Sequence, residues 1–254
     1  MELIKFDYNC YTGRWPFSKS RRAGFDELRR IHEKHGISTG YISSLDSILY
    51  NDPMEGDLEL AGILDGTGYK MVPSLNPMLP NIERDFRVAD ESFEYQAVRI
   101  YPGIHGYDYD SPELEQLISI AGEKDKAVFI QTSFGDSRMD YLLKQRQTDL
   151  EKIPGLVERF PGIKFVLFNL RIFEITKFHG IFAGRDDIYF DMSELKHSMF
   201  ALEELIAQGL GEKVVFGSFY PMFDFSGAYI HFNGTDQTTL DRILGNNIFE
   251  RGKE

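Results

Sequence analysis

The chain has 254 residues, and 28 Lys and Arg against 40 Asp and Glu give a formal net charge of −12. That balance, with no basic stripe, excludes a nucleic-acid partner, and 42% hydrophobic with 27% charged residues exclude a disordered or fibrous chain. No stretch approaches the roughly 18 apolar residues of a membrane span, MELIKFDYNC lacks a basic region ahead of an apolar run, and Cys10 alone makes no internal disulfide, so a soluble, cytoplasmic protein is expected.

Taken in chain order, LIKFDYN (3–9) is the first run rich in β-branched and aromatic residues, and a polar loop follows it. FDELRRIHEKHG then reads as an amphipathic helix stopped by Gly36. ISTGYISS (37–44) is the second strand, and GILDGTGYK around Gly66 is a turn ahead of the third, YKMVPSL (69–75). QAVRIYP (96–102) precedes the helix SPELEQLISIAGEKD, with Ser111 as N-cap and Pro112 in the first turn. KAVFIQT (126–132), the helix DLEKIPGLVERFPG, IKFVLFN (163–169), DIYFDMS (187–193) and KVVFGSF (213–219) complete the series. About eight strands alternating with helices predict a single α/β domain over 1–254, a closed (β/α)8 TIM barrel. No Gly-x-Gly-x-x-Gly turn follows the first strand, which counts against a dinucleotide fold.

Active sites of such barrels lie where the strands end, and here the ends read DYNCYTG, SSLD, PSLNP, RIYPG, IQTSFG, LFNLR, DMSEL and FGSFYP. On these stretches, on IPGLVERFPGIKFVLFNL and on the closing ILGNNIFE, the chain resembles the amidohydrolase superfamily. The likeness is to its amidohydrolase-related group, which includes aminocarboxymuconate-semialdehyde decarboxylase-like proteins. The resemblance implies a metal-dependent, hydrolase-like barrel with a closing helix over ILGNNIFE. It also maps the family's ligands onto this chain: the two strand-one histidines onto Asn9 and Tyr11, the strand-five His onto Gln131, the strand-six His onto Asn169, and the strand-eight Asp onto Phe219. Amides and a phenol are poor ligands for a transition metal, and a phenyl ring is none. The expectation is therefore a barrel that has lost its metal site, with no metal and no cofactor. The lost Asp also served as the family's general base.

Asn9 and Tyr11 stand two apart and face the mouth, whereas Cys10 faces the helix layer as a structural thiol without a His to activate it. Asn9, Tyr11, Gln131, Asn169 and Phe219 are the candidate ligand-binding residues, and the three amides are expected to hydrogen-bond to one another. Tyr11, Arg99, Asp191 or a loop His are the candidates for any catalysis, with Tyr101 and Glu194 nearby; His105, His197 and His231, in loops after strands four, seven and eight, are the candidates for an alternative metal site that their spacing does not demand. Aromatics crowd RIYPGIHGYDYD and FGSFYPMFDFSGAYIHF, as the lining of an apolar pocket or a subunit contact. Two functions remain: a degenerate barrel that binds a small molecule or protein partner, and a metal-independent hydrolase or lactonase acting on a small carboxylate or cyclic substrate. A homo-oligomer is compatible with both.

Overall fold

The structure, a computed structural model, describes residues 3–17, 22–135, 143–195 and 200–250. β1 (Phe6–Arg14) runs parallel to β3 (Thr39–Ser44), and β3 to β4 (Lys70–Met71). β5 (Ala97–Ile100), β6 (Ala127–Gln131), β7 (Phe165–Phe168), β8 (Ile188–Asp191) and β9 (Val214–Val215) continue in parallel order. A short β2 (Arg22–Ala23) returns antiparallel on the far end of β1, an addition the sequence pattern did not disclose.

Two seams close these parallel strands into a ring. Arg99 N–H donates to Pro73 O (2.8 Å) and Leu75 N–H to Arg99 O (2.9 Å), joining the chain after β4 to β5. At the other seam Tyr8 N–H donates to Phe216 O (2.9 Å), Phe219 N–H to Asn9 O (2.6 Å) and Tyr11 N–H to Tyr220 O (2.8 Å). The result is a (β/α)8 barrel, as the alternating runs predict, and every predicted strand overlaps an observed one.

Helices cover the ring where the apolar spacing demands it. Phe25–Lys34 buries Phe25, Leu28 and His32, one stripe at positions i, i+3 and i+7. Pro112–Glu123 begins as expected, with the Ser111 hydroxyl accepting from Leu114 N–H at 3.2 Å. Inside the ring, Phe6, Tyr8, Tyr41, Ala97, Phe129, Val166, Phe168 and Tyr189 fill the lower layers. ILGNNIFE departs from the expected closing helix. Helix Gln237–Leu244 stops before Gly245, and the following segment instead lies under the barrel, where Ile248 and Phe249 join the interior and Asn246 O accepts from Tyr8 OH at 2.8 Å. No helix among the described residues is long and apolar enough to cross a membrane.

Candidate functional site

β1 carries the feature that sets the mouth. Asp7 pairs with Gly40 and Cys10 with Ile42, so three steps on β1 match two on β3. One extra residue is a bulge, and it reverses the inside-outside alternation along the strand. Phe6 and Tyr8 therefore fill the interior below, yet Asn9 and Tyr11 also face inward above, while Asp7 and Cys10 face the helices. The predicted pairing of Asn9 with Tyr11 holds; the bulge that permits it was not legible.

The polar centre is a closed network. Asn9 Nδ2 donates to Asn169 Oδ1 (3.0 Å) and to Asp191 Oδ2 (2.9 Å), and Gln131 Nε2 donates to the same Asn169 oxygen. Tyr11 OH donates to Gln131 Oε1 at 2.8 Å. From β5, Arg99 Nη1 donates to Asn9 Oδ1 (3.2 Å) and Nη2 to Tyr8 O (2.7 Å). Asn9 thus bridges a guanidinium and a carboxylate through one amide. The guanidinium lies against the rings of Tyr11 (4.7 Å), Phe168 (4.8 Å) and Phe129 (5.5 Å), which attract a desolvated cation.

All of these groups are buried. Burial raises Asp191 to about 6 despite the hydrogen bonds it accepts from Ser193, Asn9 and Asn169, and it pushes the Tyr11 phenol well above its ordinary range. Among the described residues, Arg99 Nε and Asn169 Nδ2 are donors of the network with no protein acceptor.

Asn169 and Phe219 share an uncommon backbone. Each follows a strand end with positive φ, +61° and +54°, where Asn and Asp are enriched and a bulky residue is an outlier. Phe219 therefore occupies a conformation suited to the Asp that the resemblance maps there. Its ring meets Tyr11 (5.9 Å), Phe134 (5.3 Å) and Phe223 (4.9 Å). Phe134 also packs on Trp15 (5.1 Å) and Tyr101 (5.7 Å), so an aromatic plug lies against the polar centre.

Of the remaining candidates, Tyr101 stays at the mouth within the plug, and the others scatter. Tyr101 OH shares a 3.2 Å hydrogen bond with Ser74 Oγ, and Glu194 is buried beyond β8. His105 Nε2 lies 3.1 Å from Ile48 O, His231 is buried elsewhere, and His197 lies outside the described residues. The second aromatic run divides: Phe219, Tyr220, Met222 and Phe223 join the plug, while Phe225 and Phe232 pack in the helix layer.

Two polar residues escaped the sequence reading. Asp57 accepts from Ser47 Oγ (2.7 Å) and Ser74 N–H (2.8 Å), and burial raises it to about 8. His32 lies beside Cys10 and Asp7, which corrects the expectation that no His attends the thiol. Each had a signal, since Asp57 shares a stripe with Leu60 and Leu64, and His32 shares one with Phe25 and Leu28.

No protein-family model and no curated protein matches the chain. Solved structures do. A 2,6-dihydroxybenzoate decarboxylase from Rhizobium superposes with TM-score 0.73 at 13% identity, covering 98% of both chains. A dihydroxybenzoic acid decarboxylase from a Polaromonas species, with bound manganese and the inhibitor 2-nitroresorcinol, gives 0.72 at 13% identity over 98% of this chain and 97% of that one. An amidohydrolase II gives 0.64 at 13% identity, covering 94% and 96%. The fold is that of the amidohydrolase-type barrels.

Proposed function

We propose that this protein is an amidohydrolase-type barrel whose mouth has lost the metal site and binds a small molecule through hydrogen bonds alone. The observation that carries the reading is the network of Asn9, Gln131, Asn169 and Arg99, in which amides and a guanidinium stand together where the resemblance expects ligands. The residues do not fit a transition metal. Their donors are three amides, a phenol held protonated by burial, and a phenyl ring. Asp191 is the one carboxylate in the network, and its oxygens already accept from Asn9 Nδ2 and Asn169 N–H. A dication would also face Arg99 across a single amide, a like-charge contact in a desolvated interior.

The free donors indicate the ligand's chemistry. Arg99 Nε and Asn169 Nδ2 call for an acceptor, which a carboxylate or a lactone carbonyl supplies. The alternative, a metal-independent hydrolase, draws support from Asp191, whose carboxyl at about 6 is suited to a general base. We extend the proposal to one functional domain working in the cytoplasm, without nucleic-acid or membrane partners. Homo-oligomerisation is compatible with it.

The test is a thermal-shift screen of small carboxylates and lactones on wild type and Asn169→Leu, followed by NMR of each compound that stabilises. A compound that raises the wild-type midpoint alone and is recovered unchanged supports the binding reading. Turnover of that compound favours the hydrolase, and the absence of any stabilising compound argues against a ligand site.

A further inference from the structure

On the outer face of β1, away from the mouth, Asp7, Cys10 and His32 bring a carboxylate oxygen, a sulfur and an imidazole nitrogen within 4.8 Å of one another, all buried. We propose that these three residues bind a zinc-class divalent cation that ties β1 to helix Phe25–Lys34. The inference stands independently of the mouth reading.

Four observations carry it. The ligand types are those zinc takes, and a carboxylate plus a thiolate cancel the charge of the ion, so the buried site is neutral. The orienting groups are in place: Asp7 Oδ1 accepts from Asn9 N–H and Ser218 N–H, each at 3.0 Å, and His32 Nδ1 lies 3.1 Å from Tyr69 OH. Gly40, whose φ is not positive and which therefore meets no demand for a left-handed backbone, lets β3 lie close against the cluster. A Cβ there would stand 2.8 Å from Cys10 Sγ and 3.2 Å from His32 Cε1. The carbonyls of Asp7 and Tyr41, each 3.7 Å from Sγ, are candidates for the fourth position.

Binding requires the three ligand atoms, within 4.8 Å of one another, to close around the ion, and a defined proton transfer. His32 Nε2 and Asp7 Oδ2 are 3.1 Å apart, and tetrahedral zinc separates such ligands by about 3.3 to 3.5 Å. The ion replaces the contact between them, and with Nε2 on the metal the neutral ring carries its proton on Nδ1, where Tyr69 OH can accept it. The Cys10 thiol loses its proton to solvent, leaving Sγ to bond the metal.

The experiment uses full-length protein purified from cells supplied with cobalt(II), measuring metal content and the near-ultraviolet cobalt–thiolate charge-transfer band. The expected result is about one cobalt per chain with the band, metal content lowered by about tenfold or more and the band lost in Cys10→Ser, and both kept in Gln131→Leu. Wild type without metal, or with metal but no thiolate band, overturns the proposal whether or not Cys10→Ser folds, and leaves the mouth reading intact. Metal that survives Cys10→Ser but disappears in Gln131→Leu lies in the mouth, and overturns both.

Discussion

The two faces of β1 carry opposite chemistry. Inward, Asn9 and Tyr11 join amides, a guanidinium and one carboxylate in a network beneath an aromatic plug; outward, Asp7 and Cys10 meet His32. Residues one position apart thus enter separate environments, and the bulge between Asp7 and Cys10 decides which goes where. The lesson is that ligand-type side chains near a strand end do not by themselves define a barrel's mouth. The parity of the strand has to be known first.

The comparison breaks most readily at Arg99. Arg99→Leu leaves Asn9 Oδ1 and Tyr8 O without their donors and Asp191 without its bridged counter-charge. The expected loss is about 3 to 5 kcal/mol in denaturant titration. Adding Asp191→Asn should recover part of it, giving a coupling on the order of 0.5 to 3 kcal/mol in a double-mutant cycle. Strict additivity would mean that Asn9 does not connect the two charges.

At Phe219 packing and backbone oppose each other. Phe219→Ala should cost about 3 to 5 kcal/mol through the lost plug contacts. Phe219→Gly removes the same ring but accepts a φ of +54° freely, so it should be the more stable of the two variants by about 1 kcal/mol. Equal stabilities would show that the left-handed backbone stores no strain there.

Acidity gives a slope rather than a loss. Asp191 at about 6 and Asp57 at about 8 are both raised above the ordinary carboxyl value, so the native state holds the extra protons. Their contribution is fully present below about pH 4 and falls as the pH rises through each folded value, by up to roughly 1.4 kcal/mol per pH unit for each group. Asp57→Asn keeps an acceptor for Ser74 N–H and offers a donor to Ser47, as the protonated acid does. It should flatten the slope between about pH 6 and 8. An unchanged profile in denaturant titrations across that range assigns the titration elsewhere.

The outer face is probed by the smallest change. Gly40→Ala places a methyl 2.8 Å from Cys10 Sγ and should cost about 1 to 3 kcal/mol. In a Cys10→Ala background the same substitution should cost less, the remainder coming from His32 Cε1 at 3.2 Å, and an undiminished cost would mean that the sulfur does not set the limit.

The fold was legible because each strand is a compact β-rich run and each helix carries an apolar stripe. Gln131 and Asn169 could be placed together because both stand at strand ends, and strand ends meet at one mouth. The bulge escaped because one extra residue leaves no compositional trace in FDYNCYT. His32 escaped because its partners lie on a strand 22 and 25 residues away in sequence, while its own helix shows only an apolar stripe. Residues 245–249 were expected in a closing helix on the resemblance alone, yet they lie beneath the barrel, where Asn246 Nδ2 donates to Val214 O at 2.9 Å.

The central claim, that the mouth works without a metal, is tested most directly in Cys10→Ser protein, where the outer cluster lacks its thiolate. Metal content would be measured after growth with manganese and zinc. The account predicts manganese and zinc well below one equivalent per chain. About one equivalent, lost again when Gln131→Leu is added, would place a metal in the mouth and contradict it.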